Sequence, residues 1–308
     1  MARPSKPALV YAALTASALF WGTGFAVGRA ALRRLSAIDL LAAQALVGAV
    51  FQIIWTGVRG GWRNLGLPAR QVWLVLALGL VGQNVLNGLT FFGLTFTSAT
   101  NAALIYGFSP VLIGVFAAWF LGESFARRKR WGAALGFVGV AIITTQGRLK
   151  SVELHGVMAG NLLILGGSAY WALYAVATRS LSRRVAPQTL TFYILALAAV
   201  LPVGWVVLGE RRLPLAGLDA TSLCAVVLLG LGTGVLALNF WNWGLSRIEA
   251  SRVGVFSYLE PVFAGLVAIA FLGERLTLAT GAGAMLVFAG IGLAADGSEG
   301  VAAEGQNG

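Results

Sequence analysis

The feature that most constrains this chain is a succession of apolar runs of about 18–24 residues, separated by short connectors where arginine and lysine collect. The runs fall at 8–28, 37–58, 71–92, 99–121, 131–147, 157–178, 188–208, 221–244, 252–272 and 277–294. About twenty apolar residues in a helix span the hydrocarbon of a bilayer. In that medium only helices and closed barrels satisfy every backbone polar group, and these runs are too long and too evenly apolar for the alternating ~10-residue strands of a barrel. The surface composition agrees: charged residues make up 11% of the chain, against about a quarter in a soluble domain. The expectation is an all-α integral membrane protein of ten transmembrane helices, with membrane lipids as its surroundings. Arg3 and Lys6 ahead of the run from Ala8 imitate a signal peptide, but the run is too long and lacks a cleavage site, so it reads as the first span.

Net charge +11 and a pI near 10.8 do not imply nucleic acid, because the basic residues flank the apolar runs as membrane anchors. With the N-terminus inside, 14 Lys and Arg lie in the inner segments and 8 in the outer ones. Both termini are therefore expected in the cytoplasm, although Arg29, Arg33 and Arg34 in the first outer loop run against the rule. The preference for Arg over Lys, with abundant Ala and Gly, suggests a bacterial chain and hence the inner membrane. Cys224 alone forms neither an intramolecular disulfide nor a cysteine zinc site, and His155 sits in a polar connector. None of the three lysines, Lys6, Lys129 and Lys150, lies in a phosphate-binding loop, so a nucleotide-driven pump within one chain is not expected. Gly230 to Gly234 is too short for a dinucleotide fingerprint and fits close helix contact. No metal or cofactor is expected. An intramembrane enzyme would need converging acids or a His cluster in the spans, and none is visible. The glycine-rich polar tail, 295–308, is expected to be disordered.

The chain repeats itself. Phe120-Leu121-Gly122-Glu123 recurs as Phe271-Leu272-Gly273-Glu274, a shift of 151, which aligns 93–140 with 244–291 without a gap. Gly93 falls on Gly244, Pro110-Val111 on Pro261-Val262, and Gly132 and Gly139 on Gly283 and Gly290. Earlier the shift is 150: Trp21 matches Trp171, and Arg29, Arg33 and Arg34 match Arg179, Arg183 and Arg184. The repeats cover 8–147 and 157–294, with five spans each. An odd number of spans makes the second copy cross in the opposite sense. Inverted repeats of this kind characterise secondary transporters, whose sites lie near the midplane between the halves.

The segments 93–140 and 244–291, with Pro-Val in each fourth helix and Phe-Leu-Gly-Glu at each end, resemble the paired EamA domains of the drug/metabolite transporter superfamily. The resemblance covers about residues 8–295 and is strongest to the YddG-type amino-acid exporters of bacterial inner membranes. It implies a ten-helix inverted-repeat fold and export without ATP.

Several residues are candidates for transport. Glu260, two turns inside the ninth span, replaces Ser109 of the first copy, and a carboxylate at that depth faces the protein interior. It either binds a substrate ammonium or a proton, or serves structurally by meeting backbone freed at Pro261 or pairing with Arg252. Pro110 and Pro261 each remove a mid-helix donor, as hinges or as static bends. Trp21 and Trp171 lie mid-span, as cavity walls or as packing. Gln83, Asn84 and Asn87 share one helix face, as do Asn239 and Asn242 on the eighth span. With Tyr106, Tyr174, Trp241, Trp243 and Tyr258 they form either an amphipathic pocket or interhelical hydrogen bonds. Glu123 and Glu274 read as structural helix ends. The leading expectation is an exporter of amino acids, aromatic ones included, and related small metabolites by alternating access. Lipophilic-cation efflux by the same fold is the alternative, and a non-transporting receptor or scaffold follows. One chain has enough spans to enclose its own pathway, so a monomer suffices.

Overall fold

The computed structural model describes residues 7–58, 61–96, 102, 105–123, 127–145, 158–182, 184–209, 218–272 and 278–296. Arg3, Lys6, His155, Glu274 and the tail beyond Asp296 lie outside them. The described residues are helical, without strands. The first copy contains α1 (Pro7–Ala31), α2 (Ala37–Val58), α3 (Ala69–Phe96), α4 (Ser109–Leu121) and α5 (Arg127–Thr145). The second contains α6 (Met158–Ser182), α7 (Pro187–Leu208), α8 (Ala220–Leu245), α9 (Ala250–Val255), α10 (Leu259–Leu272) and α11 (Leu278–Asp296). Five of these, α1, α2, α3, α7 and α8, are long and apolar enough to cross a membrane, and α4 is a shorter apolar helix. Large apolar side chains face outward, among them Leu208 at 86% exposure and Trp73 at 80%. Such a surface is stable against acyl chains and not against water.

The halves pack by exchange. α1 lies against α10 and α8, while its counterpart α6 lies against α4 and α3. α2 crosses α7, and each also rests on the other half's third helix. The exchange holds atom by atom. A Cβ on Gly93 would fall 2.7 Å from Ile164 Cδ1, and one on Gly244 would fall 2.6 Å from Leu14 Cδ2. Gly93 and Gly244 are repeat mates, and so are Leu14 and Ile164. Arg29 donates to the carbonyl of Leu94 as Arg179 does to that of Leu245, again a matched pair. Between α5 and α11, a Cβ on Gly139 would approach the Gly283 carbonyl oxygen and one on Gly290 that of Gly132, both at 2.6 Å. Position rises along one helix as it falls along the other, so these two repeat mates run antiparallel. Only glycine permits such approach, and it lets dispersion act where no hydrophobic effect drives helices together in lipid.

Two local features depart from expectation. Pro110 and Pro261 are not mid-helix. Pro110 is in the first turn of α4, which starts after a turn at Gly107-Phe108, and Pro261 is the third residue of α10, after a 3₁₀ turn at Phe256–Tyr258. A residue without an N–H is tolerated in a first turn, where no intrahelical partner exists, and both prolines sit at such a boundary. The second feature is a π-helical stretch inside each third helix, Ala77–Gly82 and Leu228–Leu236, beginning at matched positions.

Candidate functional site

α1 serves as a ruler for the interface between the halves, since a helix rises about 1.5 Å per residue. Near its start, Tyr11 meets Arg252, which donates to its hydroxyl at 3.1 Å. Further on, Ser17 donates to the carbonyl of Ala237 at 2.8 Å and Trp21 Nε1 to that of Thr233 at 3.0 Å. From the level of Trp21 toward the Arg29 end the helices part around a cavity of about 700 Å³, its open side included. Its walls include Trp21, Phe25, Gln44, Gln83, Asn87, Phe91, Tyr106, Trp171, Thr233 and Glu260.

The cavity floor is aromatic. Trp21 meets Trp171 edge-on with ring centroids 4.9 Å apart, Trp241 lies 5.1 Å from Trp21 and 5.2 Å from Trp171, and Tyr174 stacks on Trp171 at 5.5 Å. Rings this close and this differently tilted interlock favourably. Trp241 and Tyr174 are fully buried.

Below the floor, at the Tyr11 end, a polar network ties the halves together. Glu123, just past the left-handed Gly122 that ends α4 (φ 65°), accepts from the backbone N–H of Ala250 at 2.9 Å and of Ser251 at 3.1 Å, and from Ser251 Oγ at 3.1 Å. Arg179 pairs with it, Nε to Oε1 at 3.7 Å. Lys129 binds Glu249 and donates to Ser251 Oγ at 3.3 Å. A carboxylate from the first half thus caps the start of α9 in the second. Three charged side chains buried this deeply, Glu123, Lys129 and Arg179, persist because each has an ion-pair partner and accepts or donates hydrogen bonds.

The structure sorts the candidates. It brings Trp21, Gln83, Asn87, Tyr106, Trp171 and Glu260 together around the cavity. Asn84 donates to the Leu80 carbonyl at 2.8 Å and lines a smaller adjoining space with Gln44, Gln83 and Asn87. Tyr174 is in the floor, and Tyr258 packs fully buried against Gly136. Asn239 is used between helices, donating to Gln52 Oε1 and to the Val235 carbonyl, both at 2.8 Å. Trp243 lies under the Arg247 guanidinium, 5.7 Å from its ring centre. Pro261 touches a side pocket with Tyr106, Ser257 and Glu260. Gln44 and Thr233 escaped notice in the sequence. Gln44 is a polar residue within an apolar run, a signal that was legible. Thr233 was hidden in a glycine-rich stretch explained by packing alone, and that packing is real: a Cβ on Gly230 would meet Val47 Cγ1 at 2.5 Å.

The EamA-like transporter family model matches residues 8–145 and again 158–295. The uncharacterized transporter YyaM of Bacillus subtilis is 29% identical over 70% of each chain. The aromatic amino acid exporter YddG of Ancylobacter novellus is 26% identical over 67% of this chain and 71% of its own. A crystal structure 24% identical in sequence superposes with a TM-score of 0.77, covering 94% of this chain and 97% of the other, and so shares the fold.

Proposed function

This chain belongs to the EamA-like transporter family, within the drug/metabolite transporter superfamily, and on that premise we propose that it is a secondary transporter exporting small amino-bearing metabolites, amino acids among them, across the bacterial inner membrane. It is a multi-pass membrane protein, and the proposal assigns it ten spans in two halves of opposite sense, 8–147 and 157–294, with both termini in the cytoplasm. One observation carries the reading: a cavity between repeat-related halves, floored by interlocked rings, with the Glu123 network below that floor. The antiparallel crossing of α5 and α11 supports the opposite sense of the halves.

Alternating access follows from the exchange packing. The halves exchange matched contacts at Gly93 and Gly244 and at α5 and α11, so rocking one half would convert a shape closed at one end into its counterpart closed at the other. Arg179, Lys129, Arg247 and Arg252 surround the sealed end, and this basic cluster supports a cytoplasmic side for it. The cavity then faces outward, ready to release cargo. To reload, Glu123 must leave the N–H groups of Ala250 and Ser251, and the three tryptophans must separate. The relative named as an aromatic amino acid exporter supports a cargo with an amino group and an apolar body.

The test has two parts. Purified protein in liposomes should exchange labelled amino acids or amines without ATP, and absence of flux for every such solute would refute transport. Arg127 and Leu278 are repeat mates, at the starts of α5 and α11. In a Cys224→Ser background, cysteines at these two positions should label from opposite faces of the membrane. Labelling from one face would refute the inverted threading.

A further inference from the structure

The cavity walls carry a lopsided charge inventory. Among the described residues, Glu260 is the one carboxylate lining the cavity, and no Lys, Arg or His lines it. Glu260 is 5% exposed and has no ion pair among the described residues. A charged carboxylate placed so deep is costly unless a positive charge or a proton reaches it.

The amides add a second, independent observation. Gln44 is 7% exposed, and its Nε2 reaches Thr233 Oγ1 at 3.5 Å. The Thr233 hydroxyl proton is already given to the carbonyl of Leu229, so Thr233 Oγ1 can only accept from its neighbour. That fixes which way the Gln44 amide points and leaves its Oε1 as a buried acceptor without a partner. Gln83 Oε1, on α3 of the same half, is likewise buried without a partner among the described residues. The cavity therefore presents one carboxylate and two idle carbonyl oxygens, and what fits them is a group with several N–H donors and no acceptor. A primary ammonium, with three, is that group. Trp21, Trp171 and Phe25 supply ring surface for the attached apolar body and for the cation. A substrate carboxylate finds no such welcome. The lining donors, Trp171 Nε1, unpartnered and buried, and the Gln83 and Asn87 amides, are all neutral, and a carboxylate sharing the space with ionised Glu260 is repelled.

We propose that this site selects its cargo by a primary ammonium on an apolar or aromatic body, and that the α-carboxylate of an amino acid is tolerated and not recognised. The proposal rests on the reading of the cavity as the transport site. It ranks ligands: primary amines and amino-acid amides above the parent amino acid, and above quaternary cations, which carry charge but no N–H.

The experiment measures calorimetric binding of phenethylamine, phenylalaninamide, phenylalanine and tetraphenylphosphonium to the purified protein, and counterflow of the same four in liposomes. Phenethylamine and phenylalaninamide are expected to bind at least tenfold more tightly than phenylalanine or tetraphenylphosphonium. Glu260→Gln is expected to remove that preference, Glu260→Asp to keep part of it, and Gln44→Leu to weaken the primary amines more than the quaternary cation. Phenylalanine binding as tightly as its amide, tetraphenylphosphonium matching phenethylamine, or a preference unchanged in Glu260→Gln would each overturn the proposal. Phenylalanine flux with the amines excluded would overturn it and leave transport standing. Amine binding that depends on Glu260, without flux of any solute, would uphold the ligand ranking and overturn transport.

Discussion

The two halves are alike where they hold each other and unlike where they meet a solute. Gly93 receives Ile164 as Gly244 receives Leu14, and Arg29 caps Leu94 as Arg179 caps Leu245. In the cavity the match fails: Glu260 stands where the first half has Ser109, and Trp21 Nε1 is bonded to Thr233 while Trp171 Nε1 has no partner. Scaffold contacts repeat because exchange between two shapes needs equal contacts in both. The site does not, because one solute occupies it at a time and has its own unsymmetrical chemistry.

The comparison can be broken first at the sealed end. Glu123→Ala removes a carboxylate that holds two backbone N–H groups and a hydroxyl, and leaves Arg179 without it. Breaking a buried pair costs about 3–5 kcal/mol, so thermal unfolding in detergent should show the largest loss of any single change considered. An unchanged melting temperature would mean that this end is held by apolar packing alone.

The next effect tests the asymmetry. Glu260→Gln should lower transport by about 1.5–3 kcal/mol of lost charged hydrogen bonding, roughly 10- to 150-fold in rate, while Ser109→Ala at the mated position should stay within about twofold. Equal losses would make the halves functionally equivalent and remove the distinction drawn above.

A third experiment tests the symmetry itself. Gly93→Ala and Gly244→Ala each push a methyl into a mated side chain and should cost about 1–3 kcal/mol apiece. Their costs should be similar and additive in the double variant, since the sites are separate. A large cost at one glycine only would show that the exchange is approximate.

The smallest effect concerns a device present in one half alone. Asp219 caps α8 by accepting from Ser222 N at 3.1 Å, whereas α3 starts after Pro68 with no side-chain cap. The Ser222 hydrogen bonds, with a lesser contribution from Arg34, hold the Asp219 carboxyl below its ordinary range. A lowered folded value means the stabilisation is full above the unfolded carboxyl's pKa, about 3.9, and fades as pH falls through the folded one. Asp219→Ala should lower the melting temperature slightly at neutral pH and remove that acid-side slope. A slope that survives the change would belong to another carboxylate.

Much of this protein was legible in its residues. Apolar runs of the right length, glycines in register and a duplicated Phe-Leu-Gly-Glu led to helices, membrane and duplication, because lipid permits so few backbone solutions and because close contact between helices needs glycine. Glu260 was identified through the cost of burying charge. The position of the prolines within their helices was not legible, because a missing N–H marks either a kink or a first turn, and the pattern of neighbours cannot choose between them. By sequence Asn239 is as available as Asn87, but Gln52 occupies it. The linear order of residues determined what each could do: bury, donate, accept or carry charge. Only the tertiary structure decided which of those capacities were already spent on a neighbour and which remained open to the cavity, since hydrogen bonds between residues such as Trp21 and Thr233, 212 positions apart, arise only once the halves have docked.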